Sequence, residues 1–104
     1  MATTKEFLSY ISEQLSLAEE IATRPMMGEY LLYCKGKLIG GIYDDRLLLK
    51  PTQAASSLLP QAELQTPYEG AKPMIFVEEL ENRELLKRLC ERTADELPSK
   101  KKRR

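Results

Sequence analysis

A chain of 104 residues, 42% hydrophobic and 31% charged, is long enough to bury roughly 60 to 70 per cent of its unfolded surface around one core without a metal or disulfide staple. Its apolar runs, such as Tyr30 to Cys34 and Leu47 to Leu49, fall far short of the roughly 18 residues that span a bilayer, and the absence of a basic start and an apolar stretch argues against a signal peptide and for the cytoplasm. The formal net charge is zero, but Lys100, Lys101, Lys102, Arg103 and Arg104 carry five of the sixteen positive charges, leaving residues 1–99 at −5 without the broad positive footprint of a dedicated nucleic-acid binder.

Thr3 and Glu6 have the spacing of a capping box, and Leu8, Ile11, Leu15 and Ala18 recur at helical intervals, which predicts an amphipathic helix over 4–18. Glu13, Glu19 and Glu20 read as its solvated face. From Arg24 to Lys50 short apolar stretches are punctuated by Lys35-Gly36 and Asp44-Asp45, the pattern of strands joined by tight hairpins. Strands are expected at 22–27, 29–34, 37–43 and 46–50, the first of them peripheral because it contains Pro25.

Pro51 breaks the ladder, and Thr52 caps a short helix that reaches Leu59. Residues 61–73 read as a long ordered loop anchored by Leu64 and Tyr68. The unalternating run Met74-Ile75-Phe76-Val77 suggests a strand covered on both faces, near the sheet centre. Asn82 caps a last helix to Leu97, with Leu85, Leu86, Leu89, Cys90 and Thr93 in one stripe. The expectation is a single α+β domain over 1–98, an antiparallel sheet of about five strands with three helices mainly on one face, in the order α-β-β-β-β-α-β-α. Residues 99–104 are expected to form a disordered basic tail.

The segment Arg24-Pro25-Met26-Met27-Gly28-Glu29-Tyr30, followed by Tyr33, Gly36, Leu47-Leu48-Leu49-Lys50-Pro51 and Pro67-Tyr68, resembles the N-terminal domain of the TfoX/Sxy competence-regulator family. The resemblance implies a bacterial regulatory domain; family members act with a cyclic-AMP receptor protein on promoter choice. Longer members add a C-terminal helical domain, for which this length leaves no room. Glu29 stands where the family often has a second glycine.

Catalysis is disfavoured by composition. There is no histidine, so the commonest general base is missing and a serine or cysteine nucleophile would lack its usual activator. Cys34 and Cys90 form no CxxC pair and read as buried, reduced thiols. Gly40-Gly41 opens onto a strand rather than a helix, unlike a phosphate loop, and reads as a bulge, a strong twist or a close approach. Asp44-Asp45 reads as a turn rather than a cation site. No cofactor and no metal are expected.

Two-residue hairpins would pair Tyr33 with Leu38 and Tyr43 with Arg46. An unbroken register then places Leu31, Tyr33, Leu38, Gly40, Ile42, Leu47 and Leu49 under the helices. The opposite face would present Tyr30, Leu32, Cys34, Ile39, Tyr43 and Leu48, bordered by Lys37, Arg46 and Lys50. So apolar a face is either covered by the 61–73 loop or used for association, as a homodimer or with a foreign protein. A one-residue bulge would exchange the two faces. The reading is a non-catalytic regulatory domain working through protein contacts, with no membrane partner. The alternative is a nucleic-acid accessory protein that touches phosphate weakly through Lys100, Lys101, Lys102, Arg103 and Arg104.

Overall fold

Three tight turns build one half of the sheet. In the computed structural model, which describes residues 3–97, strands β1 (Ile21–Met26), β2 (Glu29–Cys34), β3 (Lys37–Ile42) and β4 (Leu47–Leu49) follow one another as an antiparallel meander. The first two turns, Met27-Gly28 and Lys35-Gly36, have positive φ at both central residues, as type I′ geometry requires. Asp44 and Asp45 adopt φ of 52° and 56° in the third, a conformation that short polar side chains tolerate better than most.

Two further strands extend the sheet beyond β4. β5 (Leu64–Gln65) and β6 (Met74–Val77) complete a six-stranded antiparallel sheet of order β1-β2-β3-β4-β6-β5. The sixth strand, β5, lies within the segment expected to be loop, and at two residues it is too short to leave a pattern in the sequence. β6 therefore lies second from the edge, with Ile75 and Val77 buried and Met74 and Phe76 half-buried. Its outer face is only partly covered.

Helices α1 (Lys5–Gln14), α2 (Gln53–Leu58) and α3 (Arg83–Glu96) cover one face of the sheet. One core unites Ile11 and Leu15, Ala55, and Leu86, Leu89, Cys90 and Ala94 with Leu32, Cys34, Ile39, Ile42, Leu47, Leu49, Ile75 and Val77 from four strands. Thr4, not Thr3, caps α1, accepting from Phe7 N, and Asp45 Oδ1 accepts from Thr4 N at 2.9 Å. Thr3 is buried instead, where its hydroxyl donates to Glu29 Oε1 at 2.7 Å. The same carboxylate oxygen accepts from Asp44 N, so Glu29 ties the N-terminal segment to the β3–β4 turn, which a glycine could not do.

α1 ends four residues earlier than its periodicity predicts. Leu15 and Ala18 remain buried in successive turns, and Glu91 of α3 accepts from Glu19 N at 2.9 Å before β1 begins. Glu96 likewise accepts from Gln53 N and Ala54 N at the start of α2. The start of each short helix thus combines the hydroxyl of its own N-cap threonine with a carboxylate from a distant element, Asp45 at Thr4 N and Glu96 at Gln53 N and Ala54 N.

Candidate interaction face of the sheet

A β-bulge decides which side chains this sheet offers. Tyr33 pairs with Leu38 and Tyr43 exchanges two backbone bonds with Arg46, as two-residue hairpins dictate. Between them the register shifts, so that Leu32 lies opposite Gly40, Leu31 opposite Gly41 and Tyr30 opposite Ile42. Ile39 is the additional residue. Because side chains alternate with period two, one extra residue inverts every position of β2 relative to the far half of β3.

The expected face is corrected accordingly. Leu32, Cys34 and Ile39 are fully buried in the core beneath the helices, Tyr30 packs against that core, and Lys37 Nζ donates to Ala94 O of α3. Leu31, Tyr33 and Leu38, expected in the core, share the helix-free face with Tyr43, Arg46, Leu48 and Lys50. Gly40 and Gly41 make the bulge possible by close approach. A Cβ on Gly40 would collide with Leu48 O and lie 2.8 Å from Leu49 Cα, and one on Gly41 would collide with the Tyr43 ring.

The helix-free face is covered at one end only. Arg46 fastens the 66–73 segment across β4 and β6: its Nη1 donates to Gln65 Oε1 at 2.7 Å and to Thr66 O, its Nη2 to Pro67 O, and its Nε to Tyr43 O. The Tyr68 ring meets Tyr43 edge-on, with centroids 6.2 Å apart. Leu48 is fully buried, whereas Leu31, Tyr33 and Leu38 remain half-exposed towards β1, where Arg24 stacks on the Tyr33 ring at 5.8 Å. Arg46 and Gln65, not the expected Leu64 and Tyr68, anchor the segment; those two are 55% and 59% exposed.

Between this strap and the β3–β4 floor runs an open groove of about 880 Å³, lined by Leu38, Tyr43, Lys50, Pro67, Tyr68, Lys72 and Met74 among others. Leu38, Tyr68 and Lys72 were absent from the sequence-derived site. Leu38 needed the bulge, and Lys72 needed the path of the strap. The β1 edge offers less. Met26 and Glu29 flank a two-residue turn and exchange ladder bonds, so Thr23 and Pro25 direct their backbone outwards, and Pro25 has no N–H to give.

The thiols are poor nucleophiles. Burial pushes Cys34 up from 9.0 to about 11 and Cys90 to about 12, and the Cys34 thiol donates to Glu19 O at 3.2 Å. Both stay protonated at neutral pH, the inert state of a structural cysteine. Among the described residues no group of three or more His, Cys, Asp or Glu side chains is placed to hold a metal ion. No helix among them is long and apolar enough to cross a membrane. The tail cations Lys100 to Arg104 lie outside the described residues.

Residues 13–97 match the profile of the TfoX N-terminal domain. The chain is also similar to a protein of Spirochaeta aurantia described as an uncharacterized 12.7 kDa protein in the trpE 5' region. The two are 32% identical over 105 residues, covering 100% of this chain and 91% of the relative. No solved structure matches the chain significantly.

Proposed function

The chain belongs to the TfoX N-terminal domain family, and on that premise we propose that it is a non-catalytic regulatory domain of the competence-regulator type, acting in the cytoplasm through protein contacts at the helix-free face of its sheet. The observation that carries this reading is the uneven cover of that face. Three helices bury one side of the sheet, whereas the other keeps Leu31, Tyr33, Leu38 and Tyr68 accessible. An aromatic and aliphatic surface with a cationic border is the composition of a contact surface rather than of a solvated sheet. The proline-blunted β1 edge favours the face over strand addition as the mode of contact.

Retention of partners from extract of the native organism tests the reading. Tyr68→Glu is expected to stay folded, because its ring is largely exposed, and to weaken retention by about 30-fold, the size of a typical aromatic hot-spot loss. Tyr10→Glu is the matched control: Tyr10 is also exposed, at 38%, but lies on α1. Equal retention by both variants would place the contact elsewhere.

A further inference from the structure

The groove beneath the strap has a charge pattern that names its occupant more narrowly than the family does. Lys50 and Lys72 line it, and neither takes part in the two ion pairs found among the described residues, Lys35–Asp95 and Lys87–Glu91. Arg46, which holds the strap, donates only to neutral acceptors. Three cations therefore gather on one face without a paired carboxylate, on a body whose residues 1–99 carry −5. Of the nearby acids, Glu29 is engaged by Thr3 and Asp44, and Glu69, between Tyr68 and Gly70 on the strap, is exposed and does not line the groove.

The floor and wall are apolar. Leu38, Tyr43, Tyr68 and Met74 leave room for an inserted side chain, and Leu64 and Tyr68 on the groove are two of the five large hydrophobic residues exposed among the described residues. We propose that this groove binds an acidic peptide segment of a partner protein, which inserts one apolar or aromatic side chain between Leu38, Tyr43 and Tyr68 and sets its carboxylates against Lys50 and Lys72. The proposal rests on the regulatory reading above and specifies the partner's chemistry. Desolvating an anchor in a pocket supplies affinity, and the cationic border selects against neutral and basic segments. A nucleic-acid strand fits less well, because its phosphates would meet a negatively charged body beyond these cations. A second copy of this chain could offer its Glu78–Glu81 run, but Leu80 there packs against its own core and is not free to insert.

Fluorescence anisotropy with the full chain and three labelled synthetic peptides tests this: Gly-Glu-Glu-Phe-Glu-Glu-Gly, the same peptide with alanine for phenylalanine, and a version with lysine for every glutamate. The acidic phenylalanine peptide is expected to bind. Both the alanine substitution and the Lys50→Glu/Lys72→Glu double variant should weaken it about tenfold or more, and raised salt should weaken it further. The lysine peptide should bind the double variant better than the native chain. Binding of the acidic peptide that survives the double charge reversal, or no binding by a folded native chain, would overturn the proposal. If the peptides fail while Tyr68→Glu still abolishes partner retention, the acidic occupant is wrong and the face stands. If they bind while Tyr68→Glu retains every partner, the groove stands and the regulatory reading falls.

Discussion

Gly40→Ala is expected to cost about 3 kcal/mol or more, a large share of the roughly 5–15 kcal/mol that holds a domain of this size together. The added Cβ would collide with Leu48 O and lie 2.8 Å from Leu49 Cα and 3.1 Å from Leu48 C, all of them backbone atoms of the neighbouring strand. A flexible side chain could swing away; a backbone paired on both sides cannot. β4 pairs with β3 through Gly40–Leu49, Gly41–Leu48 and Ile42–Leu47, and with β6 on its other side. Moving it would open the core around Leu47 and Leu49, both fully buried. Gly36→Ala is the reference, since nothing lies within 4 Å of its Cβ and only its φ of +78° opposes the change. That variant should lose about 1 kcal/mol. Urea unfolding midpoints compare the two, and equal losses would mean that β4 does not press on Gly40.

Leu32→Asp and Leu31→Asp are expected to diverge as far as neighbouring residues can. Leu32 is fully buried among core side chains, where an aspartate would find no partner, and a loss above about 4 kcal/mol should leave the chain unfolded. Leu31 is half-exposed on the helix-free face, and its strand neighbour across the ladder is Arg24. An aspartate there gives up part of one side chain's burial and gains a cation nearby, so the chain should stay folded with a loss of about 1 kcal/mol. Near-ultraviolet circular dichroism and gel filtration distinguish the outcomes. An unfolded Leu31→Asp beside a native Leu32→Asp would mean that the ladder runs without its bulge.

The bulge also marks the limit of what could be read from residues alone. The hairpins at Lys35-Gly36 and Asp44-Asp45 were legible because turn chemistry is local, and the pairs Tyr33–Leu38 and Tyr43–Arg46 followed from them. Which face lay inward was not. β2 reads Glu-Tyr-Leu-Leu-Tyr-Cys, apolar on both sides, so alternation carries no direction. Gly40-Gly41 suggested a bulge, a twist or a close approach, and the structure has both a bulge and a close approach there. Whether the strand held an extra residue depended on packing against β4, which local pattern does not encode. For the same reason Leu32, Cys34, Ile39, Tyr30 and Lys37 were assigned to the wrong face, while Tyr43, Arg46, Leu48 and Lys50, on the near side of the bulge from β4, were placed on the face they occupy.

The strap was legible as a segment but not as a contact. Its prolines and Gly70 announced irregular backbone, yet the residue that fastens it is Arg46, about twenty positions earlier in the chain. A side chain read as the charged border of a binding face proved to donate four hydrogen bonds within the fold. Long-range hydrogen bonds of this kind leave no periodic trace. The helix caps Thr52 and Asn82, being local, were found at their expected positions.

The most direct measurement of the regulatory role is a transcript profile of the native organism carrying, at equal protein levels, the wild-type chain, a deletion, or the variants Tyr68→Glu and Arg88→Glu. Arg88 is exposed on α3, among the helices that cover the other side of the sheet. If the helix-free face carries the function, Tyr68→Glu reproduces the deletion profile while Arg88→Glu reproduces the wild type. A deletion that leaves transcripts unchanged, or a Tyr68→Glu profile equal to the wild type, would contradict the account.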